Sequence, residues 1–159
     1  MDHAPTAWAL PAPLLLASTS ATRRLLLESA ALPVETERPG VDERAVEREA
    51  AGLAPAALAR RLAEAKCAAV AARHPDRIVV GADQVLDLDG EVFHKPADPA
   101  GAHAQLGRLA GRSHALHAAV AIGVGSRVAE SFVETARLTL RPSMPRRSRP
   151  MWSWPARSA

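Results

Sequence analysis

Along this chain, apolar and polar positions alternate with two periods, and the period changes mark the elements. "PLLLASTS" (residues 13–20) is a short apolar run ending in small hydroxyl residues, and "ATRRLLLESAAL" after it has helical composition. Together they predict a strand, a tight turn and a helix, with Ser18 or Ser20 as the N-cap. "PVETERPGVDER" is punctuated by Pro33, Pro39 and Gly40 and reads as extended or loop-like. "PAALARRLAEAKCAAVAARHP" gives the clearest helix: Pro55 suits its first turn, Pro75 stops it, and Leu58, Leu62, Ala65 and Ala69 form one apolar stripe.

"RIVVGA" then reads as a β-branched strand, with Asp83 expected where that strand ends. In "VLDLDGEVF" the Asp89-Gly90 pair between alternating residues predicts a hairpin. "DPAGAHAQLGRLAG" predicts a short helix ending near Gly111. "SHALHAAVAIGV" and "VAESFVETARLTL" predict two strands joined around Gly125-Ser126. In the second, Phe132, Ala136, Leu138 and Leu140 share one face and Ser131, Thr135, Arg137 and Thr139 the other. Strands and helices alternate first and strands pair later, so the expectation is an α/β domain with a mixed sheet.

Composition adds limits. The length of 159 residues suits one domain, and 48% hydrophobic with 23% charged residues suits a globular one. The single cysteine, Cys67, excludes an internal disulfide and reads as a small core residue on a helix. No stretch reaches the roughly 18–20 apolar residues of a membrane helix, and the N-terminus makes a poor secretory signal, so the expected location is the cytoplasm.

The net charge of +3 is unevenly distributed. Residues 1–140 hold 15 of the 20 basic residues and all 17 acidic ones, a net of −2. The basic excess lies in residues 141–159, "RPSMPRRSRPMWSWPARSA", which also hold four prolines and two of the three tryptophans. By composition this is a disordered tail. A nucleic-acid role would rest on that tail alone.

Chemistry is carried by scattered residues. A carboxylate at Asp83, after Ile78-Val79-Val80, can bind a hard cation or take a proton from water, or it is a turn aspartate satisfying local amides. The "ASTS" loop offers amides and the hydroxyls of Ser18 and Ser20 at a helix start, a natural anion site or simply a cap, and Arg23 can fold back onto an anion there. Lys66 falls near the edge of the apolar stripe, either reaching solvent or serving an internal anion. Lys95, fixed by Pro96, has the same two readings. Asp42-Glu43 in the "GVDER" loop offers further carboxylate or is simply a solvated charged loop. His114 and His117, three apart in a strand, fall on opposite faces, which argues against a shared metal. The mixture of carboxylates, cations and a helix-start anion site fits metal-assisted chemistry on a phosphate substrate.

Five motifs, "LASTSATRRLLL", "VDE", "LAEAK", "GADQVLDLDGEVFHKP" and "LAGRSHALH", resemble in order and spacing the Maf family of nucleotide pyrophosphatases, over about residues 14–140. The resemblance implies an elongated mixed sheet flanked by helices with a central cleft, akin to the inosine triphosphatases. It implies cleavage of nucleoside triphosphates to monophosphate and pyrophosphate with a divalent cation, Mg2+ or Mn2+. Carried over by position, Asp83 would activate the attacking water, and Glu43 would assist with metal or water. Ser18, Ser20, Arg23, Lys66 and Lys95 would surround the phosphates, Gln84 would lie near the base or ribose, and Arg112 would support the cleft. A homodimer is a frequent assembly in the family. "DQV" and Thr22 resemble the branch acting on 7-methyl-GTP.

Two departures matter. Ala21 stands where a proline is common, and the family's register is lost just after Arg141-Pro142. Residues 1–13 would then be an N-terminal extension and residues 141–159 a foreign ending, as a frameshifted or truncated gene would produce. The alternative function is a nucleotide-binding remnant without turnover, or a non-catalytic regulator of cell division.

Overall fold

The computed structural model describes residues 8–142. The expectations for residues 143–159 and 1–7 lie outside the described residues. Ten elements follow one another: β1 (Leu14–Ala17), α1 (Ala21–Ser29), β2 (Val34–Thr36), α2 (Glu43–Glu49), α3 (Pro55–Ala71), β3 (Val79–Leu88), β4 (Glu91–Phe93), α4 (Pro99–Leu109), β5 (Ser113–Val124) and β6 (Arg127–Thr139). The strands form one six-stranded sheet in the order β2-β1-β3-β5-β6, with β4 paired to β3. β1 lies parallel to both β2 and β3, whereas the β3–β4, β3–β5 and β5–β6 pairs are antiparallel. The mixed-sheet α/β expectation is met.

Several boundaries follow from local chemistry. Ser20, not Ser18, caps α1, accepting a bond from the Arg23 amide. At Asp89-Gly90 both residues have positive φ (54° and 88°), the backbone of a two-residue hairpin loop between β3 and β4. Asp98 caps α4, accepting from the Gly101 amide at 2.7 Å. Gly107 is exposed on α4, and a methyl there would have nothing within 4 Å, so the glycine contributes only backbone freedom. Gly107→Ala is therefore expected to raise stability by about 0.5–1 kcal/mol, read as an increase in Tm.

Two expectations are corrected, the position of Asp83 and the buried stripe of α3, and two are refined, the extended or loop-like stretch and the faces of β6. Residues 33–44 are not merely loop: Val34–Thr36 pairs with β1 as an edge strand, and Asp42 caps α2 through the Ala45 amide, so Glu43 opens a helix. Asp83 does not end a strand. It lies in the middle of the ten-residue β3, because β5 continues the pairing beside it from Val79 to Asp87. The buried stripe of α3 is Leu58, Ala59, Leu62, Ala63, Lys66, Cys67, Val70 and Ala71, rotated from the Ala65–Ala69 line, and this takes Lys66 from the edge into the interior. In β6 the face with Ser131 and Val133 turns towards α3, and the apolar Phe132 and Leu138 are left 46% and 41% exposed. Periodicity finds two faces on a strand but cannot say which one a helix covers.

The main core lies between α3 and the sheet and gathers Leu15, Ala17, Leu62, Val70, Val79, Val85 and Ala121. The approach is close because two strand positions under the helix are glycines. A methyl on Gly81 would meet the Ala63 carbonyl, lie 2.6 Å from the Cys67 amide nitrogen and 2.7 Å from Cys67 Cβ; one on Gly123 would lie 2.9 Å from Cys67 Sγ. Cys67 is a core residue as expected, and burial pushes its thiol pKa up, away from thiolate chemistry. On the opposite sheet face, Leu14, Leu16 and Val80 pack with Leu27 of α1, Trp8 and Val34.

Candidate functional site

The close seating of α3 over β3 brings Lys66 and Asp83 together. Cys67 and Ala63 occupy the space the missing Gly81 side chain leaves, so the next inward position on the helix, Lys66, lies against the next position on the same strand face, Asp83. Both are buried, at 6% and 9% exposure. Lys66 Nζ donates to Asp83 Oδ1 at 2.6 Å and lies 3.0 Å from Glu43 Oε1 at the start of α2. One ammonium thus joins two carboxylates from three elements. A buried lysine without such partners would be strongly penalised.

Electrostatics at Asp83 run in both directions. Burial raises its carboxyl pKa above the usual 3.8, Lys66 lowers it by hydrogen bond and charge, Glu43 pushes it up again and Arg23 pulls it down. Burial wins, so the group holds its proton more tightly than an ordinary aspartate.

A cavity of about 510 Å³ opens above this pair, within the size range of small-molecule sites. One wall is the turn from β1 into α1: Ala17, Ser18, Thr19, Ser20 and Arg23. Ser18 Oγ accepts from the Ser20 amide and from Arg23 Nη1, both at 3.2 Å, so the arginine is folded back over the turn. A second stretch of the lining is Arg38-Pro39-Gly40-Val41, Glu43 and Lys66 reach the cavity from α2 and α3, and Lys95 lines it after β4. Four cations against one lining carboxylate make this an anion pocket.

The Arg38 stretch is tied to the body of the protein. The Glu37 amide donates to the Leu16 carbonyl at 2.9 Å. The Glu37 carboxylate accepts from Arg73 Nε at 2.8 Å and lies 2.5 Å from His74 Nε2, both just after α3. The Arg73 bond holds that carboxyl below the usual range, against a smaller opposing effect of burial and with help from His74. Arg73 Nη2 also donates to the Arg38 carbonyl at 3.1 Å.

Of the residues singled out in the sequence, Ser18, Ser20, Arg23, Glu43, Lys66 and Lys95 line this cavity, and Asp83 adjoins it through Lys66. Gln84 is not brought there. It follows Asp83 on a strand, so its side chain leaves from the opposite sheet face, where it is exposed. Arg112 is drawn to Asp89 of the hairpin turn instead of the cavity. Asp87 is half-buried with its Oδ2 3.3 Å from His117 Nε2. His117 Nδ1 meets Thr135 Oγ1 at 2.9 Å, so this histidine is spent on sheet packing. Arg38 is the lining cation that sequence reasoning does not single out; a basic residue just before Pro39-Gly40 is the only local signal.

A second groove, between α3 and β6, is lined by Arg60, Arg61, Glu64 and Ser131. Its half-buried carboxylate is already engaged: Arg60 Nε and Ser131 Oγ both donate to Glu64 Oε1, at 3.0 and 2.6 Å. It lacks a buried carboxylate near a free cation, so the chemistry lies in the first cavity. Among the described residues no three His, Cys, Asp or Glu side chains gather to form a closed metal cage. The donor set that does exist, Asp83 and Glu43 around one cationic point, fits the way Mg2+ is held by one or two carboxylates with substrate phosphates completing its shell. No helix of the described residues is long and apolar enough to cross a membrane.

Comparison with known proteins adds independent findings. Residues 13–150 match the family described as Maf-like protein. A nucleoside triphosphate pyrophosphatase of Rhodopseudomonas palustris (strain BisB18) is 44% identical over 136 residues, which cover 86% of this chain and 67% of that protein. A 7-methyl-GTP pyrophosphatase of Aromatoleum aromaticum (strain DSM 19018 / LMG 30748 / EbN1) is 52% identical over 109 residues, 69% of this chain and 54% of that one. The chain thus spans about two thirds or less of the length of these relatives. Among solved structures, a HAM1 protein from Coxiella burnetii superposes with a TM-score of 0.53 at 13% identity, covering 78% of this chain and 69% of that one; at that identity the likeness concerns the fold.

Proposed function

This chain belongs to the Maf-like protein family, and on that premise we propose that it hydrolyses nucleoside triphosphates to the monophosphate and pyrophosphate. The observation that carries the reading is the buried Asp83, paired with Lys66 beside a cavity lined by cations. A water near Asp83 attacks the α-phosphorus, Asp83 takes the proton, the new P–O bond forms and the bond to the β-phosphate oxygen breaks, releasing pyrophosphate. Arg23 and Lys95 bind the phosphate oxygens and draw off charge as it develops on the leaving group, and the hydroxyls of Ser18 and Ser20, which only accept within the turn, add donors at a helix start. Asp83 and Glu43 would hold a divalent cation, Mg2+ or Mn2+, which supplies charge neutralisation on the phosphates when bound. Lys66 orients Asp83 and Glu43 relative to each other.

The finer substrate reading is 7-methyl-GTP. It is supported by Asp83-Gln84-Val85 and Thr22 in the sequence, and by relatives of that name beside others named simply for nucleoside triphosphates. We place the reaction in the cytoplasm.

The deciding experiment is pyrophosphate release from a panel containing 7-methyl-GTP, GTP, UTP and dTTP, with and without magnesium. Metal-dependent release supports the hydrolase, and the fastest member identifies the branch. Nucleotide binding without release replaces it with a nucleotide-binding role.

The acidic side of the pH profile tests Asp83 separately. The base must be ionised to accept a proton, and its pKa lies above 3.8 because burial dominates. The rate is therefore expected to climb with pH through a limb displaced upward from that of an ordinary aspartate. Lys66→Met removes the ammonium that lowers this pKa, so the limb in kcat/KM moves to still higher pH. A limb that stays in place would assign the proton transfer to another group.

A further inference from the structure

The four cations lining the cavity are not equally available to a ligand. Lys66 is offset by two carboxylates, at 2.6 and 3.0 Å. Arg23 is bonded to Ser18 Oγ but faces no carboxylate within ion-pair distance among the described residues. Lys95 and Arg38 have neither an ion pair nor a side-chain hydrogen bond among the described residues. A cavity served only by Arg23 and Lys95 would offer a highly anionic triphosphate two uncompensated charges.

Arg38 differs from an ordinary surface arginine in how its backbone is held. Its carbonyl accepts from Arg73 Nη2 at 3.1 Å, and its neighbour Glu37 is fixed to β1 through the Leu16 carbonyl and to the end of α3 through Arg73 and His74. Arg73 is itself steadied by a bond from Nη1 to the Ala69 carbonyl at 2.8 Å. The guanidinium is thus exposed and unpartnered while the Cα carrying it is anchored from two directions. Pro39 follows and restricts the Arg38 backbone further. A planar fork of donors on such a base suits bidentate contact with phosphate oxygens.

We infer that Arg38 is a further phosphate-binding residue of this site, taking the polyphosphate chain together with Arg23 and Lys95, which line the same cavity; the inference rests on the triphosphate reading. Arg73 and Glu37 act as positioning residues, setting where Arg38 starts.

The test uses the full chain and inorganic tripolyphosphate as probe, with binding measured directly for wild type, Arg38→Ala and Arg38→Lys. Arg38→Ala is expected to weaken tripolyphosphate binding about tenfold, the effect of losing a charge-assisted hydrogen bond, and to raise KM for a nucleoside triphosphate by a similar factor with kcat little changed. Arg38→Lys should recover part of the affinity, and Tm should stay constant because the side chain is exposed and the backbone bonds remain. Unchanged tripolyphosphate affinity in Arg38→Ala, or a fall in kcat with affinity intact, overturns the inference. Weakened binding in a protein that releases no pyrophosphate from any nucleotide keeps the inference and discards the hydrolase reading. Normal release with Arg38→Ala indistinguishable from wild type does the reverse.

Discussion

Asp83→Asn is expected to lower kcat by about a thousandfold or more, within the range that a positioned general base supplies, while nucleotide affinity stays within a few-fold of wild type. The substitution keeps the shape of the side chain and removes only its basicity and charge. Lys66 retains Glu43 at 3.0 Å, so the ammonium is not stranded. Affinity measured without the divalent cation should hold because Arg23, Lys66 and Lys95 are untouched, and loss of a negative charge next to Lys66 removes some repulsion on the substrate.

Stability should move the other way from activity. The folded-state pKa of Asp83 is raised, so the protonated form is the one the fold favours, and the stability that this preference contributes is lost as pH rises through that pKa. At neutral pH the wild-type protein therefore carries the cost of an ionised buried carboxylate. Asn avoids it, and Tm of the variant at neutral pH is expected to equal or exceed that of wild type, a trade of stability for function at the reactive group. Circular dichroism melts beside pyrophosphate-release kinetics check both halves. A variant that turns over at more than a tenth of the wild-type rate would remove Asp83 from the role of base.

Gly81→Ala is expected to be the most damaging small substitution in the body of the protein, at roughly 3 kcal/mol or more of lost stability, a large part of the total for a domain of this size. The added methyl would press on backbone, not on a flexible tip: the Ala63 carbonyl, the Cys67 amide at 2.6 Å and Cys67 Cβ at 2.7 Å. Relief requires α3 to lift from β3, and this disturbs the same contact that joins Lys66 to Asp83. Gly123→Ala is the internal comparison. Its methyl would lie 2.9 Å from the Cys67 sulfur and 3.1 Å from Ala71 Cβ, side-chain atoms with more room to give, so the loss should be smaller. Denaturant unfolding of the two variants reads the difference. If Gly81→Ala matches wild type, α3 does not rest on β3 as closely as described.

Much of the fold is legible in the sequence because its elements are specified locally. Asp89-Gly90 announces the β3–β4 hairpin, since only such residues readily take the positive φ of both turn positions. The Pro55 start of α3 and the Asp98 cap of α4 are likewise written in single residues. The short strand β2 escapes a local reading because it is three residues long and gains its place from pairing with β1, a long-range contact that no local pattern records. The burial of Lys66 differs from expectation by part of a helical turn. A helix rich in alanine offers nearly equal apolarity on several faces, and the glycines of β3 and β5, far along the chain, choose among them.

The amino-acid sequence by itself determined the alternation of strands and helices, the caps and turns, the single buried thiol, and, through five spaced motifs, the family. These depend on backbone dihedrals, side-chain periods and residue identities, all available within a few positions. Only the tertiary structure decided that Asp83, Lys66 and Glu43 share one cationic point, that Arg38 and Arg23 line the same cavity, and that Gln84 leaves the other side of the sheet. Each of those facts depends on the distance between α3 and β3 or on the sign of a strand face. Both are set by packing between residues far apart in the chain, where local propensity carries no information.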